Sequence, residues 1–180
     1  MEYIIDIQGF KKTYNEFVVK ELAIISLEDD VYPSVFLFAP PHDWNLLNAR
    51  YKCENRWLTK NYHGMNWQDG EILYNELEDI LKSSLRGASQ LWIKGLEKRN
   101  FLKIFLPTVK NIEAIGCPAL SKLHTTLDTP CSNHYFKKDP KFNCAARNAI
   151  VLKKWLLDYR EAPTFSMYRE IKLDNEDEDY

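Results

Sequence analysis

A single α/β domain built on a mixed sheet is the fold class this 180-residue sequence predicts. Three observations lead there. Runs of β-branched and aromatic residues fill the segment from Tyr3 to Phe38, the hydrophobic period then lengthens to that of a helix, and strand-like and helix-like segments alternate to the end. In order, YIIDI (Tyr3 to Ile7) predicts the first strand, Gly9 to Asn15 a turn, and FVVKELAIISL (Phe17 to Leu27) the second strand. VFLF (Val35 to Phe38) predicts a third, stopped by the paired Pro40 and Pro41. EILYNELEDILKSSL (Glu71 to Leu85) places Ile72, Leu73, Leu77, Ile80 and Leu81 at helical spacing between Gly70 and Gly87. LWIK (Leu91 to Lys94) returns to strand, EKRNFLKIFL forms a short helix ended by Pro107, and CAARNAIVLKKWLLDY forms a last amphipathic helix. Three strands that can form a meander, followed by alternating elements, place helices on both faces of the sheet.

Composition narrows the function classes. With 45% hydrophobic and 28% charged residues the chain can bury one core. A formal net charge of −2 and a pI of about 6.1 exclude an overall basic footprint for nucleic acid, although a local basic groove remains open. No apolar run is long enough to span a bilayer, and MEYIIDIQGF carries Glu2 and Asp6 where a signal peptide would be basic and then apolar. The expected setting is therefore cytoplasmic or nuclear, with no membrane partner, and in that reducing setting Cys53, Cys117, Cys131 and Cys144 are expected as thiols or metal ligands. The acidic KLDNEDEDY end reads as a solvated tail, so the expected organisation is a domain over 1–160 and an extension over 161–180.

Two features call for an explanation. On the second strand, alternation puts Glu21 on one face with Phe17, Val19, Ala23 and Ile25, while Val18, Leu22 and Ile24 make the other face nearly as apolar. A carboxylate there needs a cation, a donor network or a proton; a salt bridge or a solvent-facing strand end would also satisfy it. Farther along, Cys131-x2-His134 and Cys144 supply three zinc-type ligands, one short of a tetrahedral structural site. Glu21 and Cys117 are both candidates for the fourth, and a plain polar loop with reduced cysteines is the alternative.

The order DIQGF, VKELAII, KNYHGMNWQDG, WIKGLEK, CSNH and NCAARNA resembles the DEDDh exonuclease division of the RNase H-like fold. It is most similar to the zinc-containing branch that includes the Maelstrom domain and the arenavirus nucleoprotein exonuclease domain. The resemblance runs from Tyr3 to Tyr159 and rests on motif order. It implies one structural zinc on Glu21, Cys131, His134 and Cys144, which would make the buried carboxylate and the missing ligand one residue; Cys117 stays in reserve and Cys53 is expected as a packed thiol. It also implies a catalytic site of Asp-x-Glu on the first strand, an Asp at the second motif, and a His followed five residues later by an Asp, together holding two divalent ions about 3.5–4 Å apart.

Against that pattern the chain reads Asp6-Ile7-Gln8, Glu97 at the second motif, and Asn143 and Asn148 at the last. Amide oxygens bind Mg²⁺ or Mn²⁺ poorly beside carboxylates, and Asn143 cannot act as a base, so ordinary two-metal cleavage is not expected. Each residue also has a structural reading: Asn143 as a helix cap, Asn148 as a bonded core residue, Gln8-Gly9 as a strand exit, and Glu97 as a first-turn carboxylate. The functional expectation is a pseudonuclease that binds single-stranded RNA or DNA through Lys94, Lys98, Arg99, His63 and Arg147, with Trp67 or Tyr62 stacking a base. A protein-interaction module on an inactive scaffold, its protein partner drawn by an exposed aromatic patch, is the alternative; a ribonuclease with non-standard catalytic residues is the third reading. By resemblance, the setting would be RNA silencing, antiviral defence or transposon control.

Overall fold

The computed structural model describes residues 1–13, 16–123 and 143–162. Its sheet is a meander of β1 (Glu2–Thr13), β2 (Glu16–Ser26) and β3 (Ser34–Leu37), all antiparallel, extended beyond β1 by the parallel strands β4 (Gln90–Ile93) and β5 (Lys110–Asn111). The strand order is β3-β2-β1-β4-β5, a five-stranded mixed sheet. The helices are α1 (Ala49–Asn61), α2 (Leu77–Ser84), α3 (Leu96–Leu102), α4 (Leu120–Leu123) and α5 (Ala145–Glu161). On one face, Ile5, Ile7, Leu22, Ile24, Leu91 and Ile93 pack with Leu77 and Leu81 of α2 and Leu102 of α3. On the other, Ile4, Ala23, Ile25 and Trp92 pack with Ala145, Ala149, Leu152 and Leu156 of α5. No helix among the described residues is long and apolar enough to cross a membrane.

The first hairpin departs from the sequence expectation in two ways. The turn expected over Gly9 to Asn15 starts later, because Phe10 pairs with Val18 and both are buried with Leu47, Tyr51 and Trp67 beside α1. That third apolar cluster holds the strands together past Gly9. The register also jumps from Gln8↔Glu21 to Gly9↔Val19, which leaves Lys20 as the extra residue of a β-bulge. A one-residue slip reverses the facing of every later side chain. Val19 and Phe17 therefore pack on the α2 and α3 face, and the expectation that they share a face with Glu21 is corrected. Gly9 is required at the bulge, since a Cβ there would lie 2.0 Å from the Val18 carbonyl oxygen.

Lys20 has no exposed surface. Its ammonium donates to the carbonyl oxygens of Phe38 (2.7 Å) and Trp67 (2.6 Å), tying the bulge to the end of the meander and to the loop after α1. Burial pushes its pKa down to about 8, partly opposed by the charge of Asp69.

The helix expected over Glu71 to Leu85 begins only at Leu77. Ile72 forms a parallel bridge with Phe38 and accepts the Ala39 N–H at 2.7 Å, so the preceding segment is extended and then passes through a 3₁₀ turn (Tyr74–Glu76). The helix after β4 stops at Leu102 rather than running to Leu106. The sequence reading gave no element to α1, α4 or β5. α1 is opened by Asn48, whose side chain accepts the Tyr51 N–H at 3.0 Å, yet within it only Tyr51 and Asn55 are buried. A helix with so narrow a buried stripe carries little of the periodic signal by which helices are recognised. At the other end, α5 runs through Glu161, past the expected domain edge at 160, and the extension beyond Ala162 lies outside the described residues.

Candidate functional site

Alternation along β1 aims Ile4, Asp6 and Gln8 at α5, and on α5 Asn148 lies one turn after Ala145 on the face that meets the sheet. Asp6 becomes the centre of a closed cluster. Its Oδ1 accepts from the Lys98 ammonium at 2.6 Å; its Oδ2 accepts from Gln8 Nε2 at 3.0 Å and Asn148 Nδ2 at 2.9 Å. Asp6, Gln8 and Asn148 are each no more than 2% exposed. Lys98, reaching in from α3, supplies the positive charge that a metal ion would bring, and the two amides supply the donors that carboxylates lack. Gln8 and Asn148, which the resemblance aligns with acids, thus meet Asp6 directly. Glu97 points elsewhere: it is 63% exposed and pairs with Lys11 at 3.3 Å. Asn143 is not the cap of α5, since Cys144 holds that position; the Asn143 N–H donates to the Tyr62 carbonyl at 2.7 Å.

The second polar centre lies on the same face, where Glu21 stands opposite Gln8 in the β1–β2 register. Glu21 is fully buried, and its Oε2 accepts the Ala145 N–H at 2.8 Å. A carboxylate here satisfies one of the orphan donors of the α5 N-terminus and meets the positive end of its dipole. The Cys144 thiol faces Glu21 Oε1 at 3.9 Å. A tetrahedral zinc with Zn–S of about 2.3 Å and Zn–O of about 2.0 Å separates two such ligand atoms by about 3.5 Å, so this pair fits half of a zinc set. Cys131 and His134 lie outside the described residues, and among the described residues no group of three or more His, Cys, Asp or Glu side chains is placed to hold a metal. Cys117, the reserve ligand, is engaged elsewhere: its thiol faces the Pro118 carbonyl at 3.7 Å, and burial raises its pKa to about 11. Cys53, expected as a packed thiol, is exposed on α1.

Most of the residues expected to hold nucleic acid are committed inside the protein. Lys94 is 9% exposed and bonds Glu113 at 2.8 Å and the Cys117 carbonyl at 3.3 Å; that contact, followed by one from Asn111, holds the Glu113 pKa below its usual value. Lys98 is bound to Asp6. His63 is fully buried, its Nε2 3.1 Å from the Gly9 carbonyl and its Nδ1 accepting the Met65 N–H at 3.2 Å, a pattern that fits a ring protonated on Nε2. Trp67 is buried and donates to the His42 carbonyl at 3.1 Å. Arg99, Arg147 and Tyr62 are half-buried on α3, on α5 and at the end of α1.

No protein-family model matches the chain, and no curated protein matches it either. Sequence reasoning named Lys98 as a phosphate contact and missed it as the counter-ion of Asp6, because the pair joins β1 to α3 across 92 positions of sequence. It also missed the outer face of α1, for which the alternation of basic and aromatic residues in ARYKCENRWLTKN was the available signal.

Proposed function

We propose that this chain is a catalytically inert member of the DEDDh exonuclease-like group that holds single-stranded nucleic acid without cutting it. One observation carries the reading: the Lys98 ammonium lies 2.6 Å from Asp6, with the Gln8 and Asn148 amides completing the cluster, where two-metal cleavage needs several carboxylates around divalent ions. A meander continued by strands parallel to β1, with helices on both faces, supports the RNase H-like assignment. In the same reading Glu21 and Cys144, with Cys131 and His134, hold one zinc that is structural because four protein ligands leave no open position. Binding rests on local basic surface in a chain of net charge −2, so it is weak and falls steeply with salt.

The test is one purified protein assayed three ways: for zinc content, for cleavage of single- and double-stranded RNA and DNA with Mg²⁺ or Mn²⁺, and for binding of single-stranded oligonucleotides at low salt. The expected result is one zinc, turnover at background, and salt-sensitive binding. The combined variant Gln8→Glu, Asn148→Asp, Lys98→Ala should gain Mn²⁺ binding that the unaltered chain lacks. Divalent-dependent degradation by the unaltered chain, lost in Asp6→Ala, would overturn the inert reading. Absence of binding at low salt would leave the scaffold as a protein-interaction module, for which the exposed Leu96 and Ile104 are the docking candidates.

A further inference from the structure

The internal use of Lys94, Lys98, His63 and Trp67 leaves the question of which surface a polynucleotide would touch. α1 offers one. Its exposed residues are Ala49, Arg50, Cys53, Arg56, Trp57, Lys60 and Asn61, a single stripe at helical spacing. The helix carries four basic residues against one acid, Glu54, in a chain that is negative overall. Arg50 is paired with Glu54 at 3.0 Å, Arg56 lies over the Trp44 ring at 5.8 Å, and Lys60 is exposed in the last turn. Trp57 is 57% exposed in the midst of these cations. An indole is among the largest apolar groups a chain can leave in water, and one flanked by cations presents a π-face where a base can stack while its phosphates meet fixed charge. From Arg50 to Lys60 the stripe is about 15 Å long. The anchoring is firm: Asn55, on the opposite side, accepts the Lys11 N–H at 2.9 Å and donates to the Lys11 carbonyl at 2.8 Å.

We infer that the outer face of α1 is the docking surface for a single-stranded polynucleotide, with Trp57 stacking a base and Arg56 and Lys60 meeting the phosphates beside it. This inference rests on the nucleic-acid reading above and names its surface. Complementary charge selects the occupant, and the exposed indole sets it apart from a surface for polyanions in general.

The experiment is fluorescence anisotropy of a short labelled oligouridylate titrated with the full chain, with Trp57→Ala, with Arg56→Glu/Lys60→Glu, and with Arg86→Glu at an exposed residue between α2 and β4. All the substituted side chains are exposed or half-buried, and thermal melts confirm that each variant folds. Trp57→Ala should weaken binding by about 5- to 150-fold, the span of one lost base stack. The double reversal should weaken it further and reduce the salt slope by about two, while Arg86→Glu should change it little. Bound oligonucleotide should also slow alkylation of Cys53, read by mass spectrometry of its peptide. Binding by the unaltered chain that survives both α1 changes, with Cys53 unprotected, overturns the α1 surface while the nucleic-acid reading stands. Equal competition by heparin together with an unaffected Trp57→Ala overturns base stacking. No binding by the unaltered chain removes both.

Discussion

Asp6 and Glu21 are buried carboxylates on neighbouring strands, both turned toward α5, and their described bonds come from different kinds of group. Asp6 is matched by a lysine ammonium and two side-chain amides drawn from β1, α3 and α5. Glu21 is matched by a peptide N–H at the start of α5, beside a cysteine thiol. For Asp6 the compensating charge is a lysine ammonium of the chain itself, 2.6 Å away. A carboxylate beside a thiol keeps ligand chemistry together. The same face of one sheet thus holds two buried carboxylates, one bonded by side chains from three elements and one bonded by the peptide N–H of a helix start beside a thiol.

The largest effect is expected from removing the internal cation. Lys98→Met removes the counter-ion of buried Asp6 while the two amides stay, and should cost about 3–5 kcal/mol in denaturant unfolding, whereas adding Asp6→Asn should recover much of that loss. A Lys98→Met protein as stable as the parent would show that the pair is not the closed ion pair described.

Lys20 sharpens the comparison from the cation side, since its ammonium is buried against two carbonyls with no carboxylate in direct contact among its described hydrogen bonds. Its folded pKa of about 8 lies below the ordinary 10.5, so between these values the unfolded chain binds the extra proton. Stability contributed by this group should therefore rise with pH from about 8 to about 10.5, by at most about 3 kcal/mol, and be flat below that window. Urea midpoints measured across it should climb in the parent and flatten in Lys20→Met.

Glu21 carries the smallest effect on folding and the one most informative about metal. Glu21→Ala strands the Ala145 N–H and should cost about 1–3 kcal/mol. Glu21→Gln keeps an acceptor for that N–H and should cost less, yet it removes the charged oxygen of the proposed zinc set and should lower zinc content. Equal zinc in the Gln variant and the parent would move the fourth ligand elsewhere.

The class of fold and most strands were legible because they depend on local pattern: β-branched runs in β1 to β4, and the apolar stripe of α5. The same pattern failed where a single residue altered the geometry. The Lys20 bulge reverses the facing of Val19 and Phe17, and alternation counted in sequence cannot register an inserted residue. α1 escaped notice because its buried side is so narrow, and with it went the stripe around Trp57.

The sequence by itself determined which chemistry was on hand: two acids, Asp6 and Glu97, with the amides Gln8, Asn143 and Asn148 where the resemblance expects two further acids and a base, a carboxylate in an apolar strand, cysteines and a histidine at ligand spacing, and a net charge near zero. Composition and spacing are properties of the chain, so they survive without coordinates. Only the tertiary structure decided which groups are used up. Lys98 reads as a surface cation in its helix and becomes the counter-ion of Asp6 through a contact between β1 and α3. Glu21 reads as an unsatisfied charge until the start of α5 is laid against it. Pairing of buried charge is settled by distances of a few ångströms between segments far apart in sequence, and that information exists only once the chain has folded.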